Sequence, residues 1–534
     1  MVAEASRRGF LRSVGVAGGA GVLYSAMGAL GLAPVPDAHA EAYRPPQRGD
    51  FALTGRSSKK VLVLGAGIAG LAAAYELRKA GYDCRILEAH ERPGGRNWTV
   101  RGGTRLTDLD GRTQRASFSQ GQYMNAGPAR LPQSHVTMEY CRELGVPLEV
   151  FTNQNANAYI FHENSRALAG QPVRWRTAKA DVYGYVSELL AKATDQGALD
   201  QALTAEDKER LLAFLQNFGA IRGRAEDWAY AGTSRRGYAV EPGAAFEQGT
   251  VLGPPPSLSD VIASGLGQRF SFEFGYDQAM LMFQPVGGMD AIPRALARAI
   301  GEGRITYGAA VTAVANTGSG AEVTWRSTRG GRPRTERADF VVAAMPPQVL
   351  ARLDHNLGTQ VTAALRYATP TPVGKIGLEY RSRWWETDEH IYGGITPTDN
   401  DLSTIWYPSY GYQGRRGTLV GYYNFGANAV SYGDLPHAQR EARAVAQGVK
   451  IHGRKYRSEL ASSFSVAWHR TPFIEGGWVG WPSQTGPEYR LLNEPAGQVY
   501  FAGDWLSHVI AWQHGAFTSA RKVVTEIHER VLSA

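Results

Sequence analysis

The sequence predicts an α/β fold whose centre is a parallel sheet assembled from separated parts of the chain, joined to a mixed-sheet region and a block of helices. Three observations predict it. Lys60 to Glu88 reads strand, glycine turn, helix, strand in that order. Asp339 to Ala344 is a second short apolar run, stopped by Pro346 and Pro347, and Gly497 to Asp504 a third. Short apolar runs of this kind are what strands buried on both faces look like. Between the first two runs, from about 170 to 284, the apolar spacing becomes helical.

In chain order, the first forty residues carry no fold signal. Ser6-Arg7-Arg8-Gly9-Phe10-Leu11-Arg12 is a twin-arginine signature, a Gly- and Ala-rich apolar stretch follows, and Ala38-His39-Ala40 offers a small-residue cleavage site. Gly15, Gly18, Gly19 and Gly21 leave that stretch only mildly apolar. The expectation is therefore a signal peptide over 1–40, removed on export by the twin-arginine pathway. A secreted or periplasmic protein without a stable membrane anchor follows.

Val61 to Leu64 form the first strand. Gly65, Gly67 and Gly70 follow in the spacing G-x-G-x-x-G, and Ile68 and Ala69 open the helix. Gly65 makes the tight turn, Gly67 lets backbone approach a pyrophosphate, and Gly70 lets helix and strand pack closely. The free N–H groups of the helix start face the phosphates. Glu88, at the end of the second strand, accepts ribose hydroxyls and disfavours a 2′-phosphate. The strand, helix, second strand and acid in order make a Rossmann-like dinucleotide site.

Composition narrows the chemistry. The net charge of +8 is scattered, and its densest group, Arg222, Arg224, Arg235 and Arg236, reads as a solvated face, so no nucleic-acid partner is expected. Cys84 and Cys141 stand among apolar neighbours and read as buried free thiols. The twelve histidines and two cysteines show no metal-ligand spacing, so an organic cofactor has to supply the reactivity.

Arg92-Pro93-Gly94-Gly95-Arg96 follows Glu88 and Ala89 after the two residues His90 and Glu91. The glycine pair lets backbone press on a flat ligand, and Arg96 is suited to a phosphate. G-x-G-x-x-G, Glu88 and R-x-G-G-R together resemble the flavin-dependent amine oxidase family. The resemblance implies FAD and a Rossmann-like domain of glutathione-reductase type. Gly127-Pro128-Ala129-Arg130-Leu131-Pro132 is similar to the segment of L-amino-acid oxidases whose arginine binds the substrate α-carboxylate. The chain thus looks most like a secreted bacterial L-amino-acid oxidase, with mono- and polyamine oxidases of the same fold as the alternative.

The same resemblance assigns the remaining sites. Gln284-Pro285-Val286-Gly287-Gly288-Met289 leads back into the flavin domain, and the backbone at Val311 meets the adenine. Lys375, on a strand from Val373 to Tyr380, is expected to hold a water at flavin N5. Tyr407 is expected as a second carboxylate partner. Gly503-Asp504 and Ala511-Trp512-Gln513 stand where relatives carry G-E and G-W. Asp504 thus has a shorter reach, and the Ala511 methyl narrows the site beside the carbonyl expected to accept from the substrate amine. Trp512 walls an aromatic slot, and the helix from Gln513 directs its positive end at the flavin. Flavin contacts thus fall to Gly65, Gly67, Ile68, Ala69, Gly70, Glu88, Ala89, Gly95, Arg96, Gly127, Pro128, Ala129, Arg130, Val311, Gly503, Asp504, Trp512 and Gln513.

The expected domains are 55–135, 285–350 and 495–534 for FAD, 136–169 and 351–494 for substrate, and 170–284 as a helical insertion over the entrance. The implied reaction passes a hydride from the amino-acid Cα to the flavin, with water and dioxygen completing turnover to a 2-oxo acid, ammonia and hydrogen peroxide. A homodimer is expected because family members are commonly dimeric.

Overall fold

The structure, a computed structural model, describes residues 51–533 apart from 166, 225 and 226. The twin-arginine segment and its cleavage site lie outside the described residues. The organising element is the five-stranded sheet, ordered Ile305–Tyr307, Asp83–Glu88, Lys60–Leu64, Phe340–Ala343, Val499–Phe501. Every neighbouring pair is parallel. The three apolar runs of the sequence are adjacent strands here, so the domain is built from distant pieces, as expected.

The helix Ile68–Lys79 packs against Ala291–Ile300 and Gln513–Leu532, and its alanines are closed off on nearly every side. Gly70 is required by that packing: a Cβ there would lie 2.0 Å from the carbonyl oxygen of Gly65. Cys84 and Cys141 are buried free thiols, both pushed up to about 12 by desolvation.

The antiparallel meander Ala309–Asn316, Ala321–Ser327, Arg334–Ala338 covers one end of the parallel sheet. Its ladder slips between Val311 and Ala313, a bulge that breaks regular pairing beside Val311. The second large sheet is antiparallel throughout, where a mixed sheet was expected: Ile395–Pro397, Thr404–Trp406, Gly417–Phe425, Val373–Tyr380, Leu460–Ala467. Phe161, Tyr380, Trp384, Trp385, Tyr422 and Tyr456 fill the space behind it.

The helical insertion holds Trp175–Asp195, Ala205–Phe218, Leu258–Ala263 and the 3₁₀ segment Leu266–Phe274. Thr204 and Asp207 form a reciprocal capping box, and Ser257 caps the third helix. A strand absent from the sequence reading, Leu281–Pro285, pairs antiparallel with Leu148–Thr152 and brings the insertion back beside Leu131. Among the described residues no helix is long and apolar enough to cross a membrane.

Candidate active site

One cavity runs from the glycine turn of the parallel sheet to the face of the large antiparallel sheet. It is lined by Gly65, Gly67, Ile68, Ala69, Glu88, Ala89, Gly95 and Arg96 at the dinucleotide end. Gly127, Pro128, Val311, Lys375, Gly503, Asp504, Ala511, Trp512 and Gln513 continue it. Most of the residues singled out in the sequence therefore share one wall, although they are spread over more than four-fifths of the chain.

Local chemistry fixes each of them. Gly65 has φ of 103° and its missing Cβ would stand 2.9 Å from the Ala344 carbonyl oxygen. A Cβ on Gly67 would meet nothing within 4 Å, so this turn leaves open space where a pyrophosphate comes closest. Glu88 is buried, and its carboxylate accepts from the Ala66 N–H at 2.6 Å and from the His90 N–H at 2.8 Å. Burial alone would raise its pKa. The His90 ring and these N–H donors outweigh that and hold it below the usual carboxylate range.

Arg96 bridges the middle of the cavity. It donates to the carboxylate of Asp504 and, at 2.7 Å, to the Gly477 carbonyl. The other Asp504 oxygen accepts from the Ala511 N–H at 3.0 Å. Ala511 itself has φ of 69°, the left-handed region that favours glycine. That is a physical reason for the glycine expected there from relatives. Gln513 opens the last helix with both amide atoms buried and without a partner among the described residues. A buried, unsatisfied amide costs about 1–3 kcal/mol, so it needs a bound group to satisfy it. The bare glycine turn, the acid at the second strand and the orphaned Gln513 amide together fit a dinucleotide ending in a polar ring.

Lys375 lies opposite Tyr423 in the antiparallel ladder, and both line the cavity. Its ammonium is 1 % exposed and meets only the carbonyls of Gly127 and Asn125, with the Tyr423 and Trp406 rings at 4.2 and 5.0 Å. Desolvation, with Arg130 nearby as a second cause, pulls its pKa from 10.5 to about 7.

Arg130 stands just behind this wall. Its guanidinium faces Trp406 at 4.8 Å, Phe272 at 5.4 Å and Trp512 at 5.9 Å. Among the described residues its one hydrogen-bond partner is the Asn153 side-chain oxygen. Desolvation lowers it to about 10. Among the described residues, neither Arg130 nor Lys375 has a carboxylate within ion-pair distance. Phe151, Met282, Ile395, Val420 and Trp406 make the surrounding chamber apolar.

Four expectations need correction, the first being that Arg130, expected against the flavin, does not line its cavity. Tyr407 is not in the site. Its hydroxyl is buried between the Thr396 hydroxyl and His452 Nε2, each at 2.8 Å. Successive strand residues face opposite ways, so it is Trp406 that faces Arg130. Gly70 and Ala129 do not line the cavity either: the first packs helix on strand, and the second lies in the apolar cluster around Trp406. Tyr423, Trp406, Asn153 and Phe272 were missed. The alternation around Lys375 and the cross-strand partner it implies were the signal for Tyr423. Nothing local marks Asn153 or Phe272.

Among the described residues no group of three His, Cys, Asp or Glu side chains is placed to hold a metal ion. The chain is similar to several known proteins. The L-amino-acid oxidase of Pseudechis australis is 26% identical over 482 residues, covering 88% of this chain and 87% of its own. That of Protobothrops flavoviridis is 25% identical over 482 residues, covering 88% and 89%. Among solved structures, cyclohexylamine oxidase from Brevibacterium oxydans IH-35A has a TM-score of 0.58 at 19% identity over 89% of this chain and 100% of its own. Putrescine oxidase bound to putrescine has 0.57 at 18% over 90% and 100%. Residues 68–528 match the flavin containing amine oxidoreductases, and the chain is a member of that family, with FAD as its cofactor.

Proposed function

We propose that the protein oxidatively deaminates L-amino acids. An L-amino acid, dioxygen and water give a 2-oxo acid, ammonium and hydrogen peroxide. FAD supplies the redox chemistry when bound. The chain supplies binding, orientation and the exclusion of water. The observation that carries the reading is Arg130: a guanidinium in an aromatic chamber beside the flavin cavity, held by a neutral amide and matched by no carboxylate. Such a fork suits a carboxylate bidentately. A plain amine brings only positive charge to a chamber already holding the Arg130 guanidinium, which disfavours it. The names of the curated relatives support the L-amino acid; the structural neighbours show the fold alone.

In this reading Arg130 takes the carboxylate, the Ala511 carbonyl accepts from the amine, and Trp512 and Tyr423 wall the slot. Lys375, pulled down to about 7 by burial, is an amine near the flavin ring whose protonated form favours negative charge developing on dioxygen. Replacing Arg130 by Leu removes a charge-assisted hydrogen bond worth about 1.5–3 kcal/mol, a roughly ten- to hundredfold loss in affinity for amino acids. A peroxide assay across L-amino acids, their D-forms and simple amines checks it. Amino-acid turnover untouched by that change overturns the assignment.

We also propose that residues 1–40 direct twin-arginine export of the folded, FAD-loaded protein. Cell fractionation after Arg7→Lys and Arg8→Lys tests it, and unchanged export refutes it. A homodimer is proposed on family grounds, with light scattering as the test.

A further inference from the structure

The segment between Phe270 and Met282 has buried residues at both ends and little burial between. Phe270 is 4 % exposed and packs with Trp175, and Met282 is fully buried in its strand. Between them Phe272, Phe274, Tyr276 and Met280 are 44, 75, 77 and 60 % exposed. A stretch with so few buried apolar contacts opens locally at low free energy. Yet it lies directly over Arg130. Phe272 covers the guanidinium at 5.4 Å. The Met280 carbonyl accepts from the Asn153 N–H at 2.7 Å, and the Gln278 side chain accepts from the Asn153 amide at 3.4 Å. Asn153 is the same residue that holds Arg130.

The segment is tied down by polar contacts. Glu273 meets Lys179 of the long insertion helix at 3.0 Å. Asp277 meets Nε2 of His135, five residues beyond Arg130. His135 is 3 % exposed, and its ring stands edge-on to Trp512 at 5.3 Å. One imidazole thus touches both the covering segment and the wall of the flavin slot. Arg130 is not among the residues lining the flavin cavity, and Phe272 of this segment lies over the face of its guanidinium.

We propose that residues 271–280 form a movable roof over Arg130, fastened by the Asp277–His135 contact, and that its opening controls how fast carboxylate ligands enter and leave. His135 is a positioning residue: it holds the roof and Trp512 in one register. The proposal rests on the reading of Arg130 as a carboxylate site, and the test separates the two.

In the FAD-loaded protein, Asp277→Asn should speed amide hydrogen exchange across 271–280 at least tenfold. Exchange in the helix Ala291–Ile300 and the thermal midpoint should stay unchanged. Benzoate, an unreactive aromatic carboxylate, should leave at least tenfold faster, followed through the flavin absorbance. Asp277→Glu, which keeps the carboxylate, should restore both, and Gln278→Ala should give a smaller change in the same sense. Unaltered exchange in Asp277→Asn overturns the roof whether or not benzoate binds. Faster exchange with unaltered benzoate release overturns its control of entry. Failure of benzoate to bind the unmodified protein counts against the carboxylate reading alone, and the exchange measurement still decides the fastening.

Discussion

Replacing Lys375 by Met should make the protein more stable and a worse oxidase. The ammonium sits fully inside the chamber, and burial moves its pKa from 10.5 to about 7. At about 1.4 kcal/mol per pH unit, keeping that group in the folded state at neutral pH costs about 4–5 kcal/mol. Methionine has similar bulk and keeps the contact with Tyr423 and Trp406. It leaves the Gly127 and Asn125 carbonyls without their donor, at about 1 kcal/mol each. The net gain is roughly 2–3 kcal/mol, a few degrees in thermal midpoint. The sign with pH is specific. The folded pKa lies below the unfolded one, so the penalty is absent above 10.5, grows as pH falls and levels off near 7. The advantage of Lys375→Met should therefore shrink by about 3 kcal/mol between pH 7 and 9.5. Denaturant unfolding of the FAD-saturated proteins at both pH values measures it, with oxygen consumption measured alongside. A variant less stable than the parent at pH 7, or a difference indifferent to pH, refutes the reasoning.

The glycine turn offers a paired comparison. Gly67→Ala places a methyl in open cavity at φ −69°, so stability should hold while FAD affinity falls tenfold or more, measured by flavin fluorescence titration. Gly70→Ala drives a methyl against the Gly65 carbonyl and should destabilise by about 3 kcal/mol or more, read by thermal unfolding. Burial, with His135 and Arg521 nearby, holds His514 down to about 4, so the unfolded chain binds its proton first as pH falls. Stability is complete above about 6.5 and should drop on the way to pH 4, by less than the whole shift implies because water screens the half-buried ring. Unfolding curves of His514→Gln should be flatter over that window, and equal slopes count against it.

The dinucleotide half was legible because its signals are local. A tight turn, a helix start and an acid at a strand end are dictated by backbone geometry and need no partner from elsewhere to be seen. That Phe340–Ala343 and Val499–Phe501 are strands of the same domain was legible too, since short apolar runs bounded by Pro and Gly suit buried parallel strands; their order beside Lys60–Leu64 was not. The substrate half was not, for the opposite reason. Trp406 and Tyr407 are neighbours with similar character, and only register decides which one faces Arg130. That register depends on the irregularity between Ile376 and Gly377, where the facing strand skips Gly421 and Tyr423 comes opposite Lys375. The segment over Arg130 left still less trace. Phe272, Asp277 and Gln278 act through residues more than a hundred positions away, and no local pattern encodes such a contact.

The electrostatics of the chamber bind these points together. Arg130 and Lys375 are each held below their ordinary pKa by burial, and the closest polar atoms are neutral oxygens of Asn153, Asn125 and Gly127. Taking Arg130 from 12.5 to about 10 adds about 3 kcal/mol to the cost of Lys375. The sum, about 7–8 kcal/mol, is comparable with the whole stability of a typical domain. A fold gains nothing structural from that, because neither charge closes an ion pair and the surrounding rings would pack as well on a methylene chain. An anion entering the chamber lowers the cost of both groups at once. Carboxylate binding should therefore raise the thermal midpoint more than the same ligand as its neutral amide, and should do so through Arg130 and Lys375 together. In Lys375→Met the benefit from a carboxylate should fall while that from the amide stays. Equal midpoint shifts for acid and amide in the parent protein would place the carboxylate elsewhere and leave these two cations unexplained.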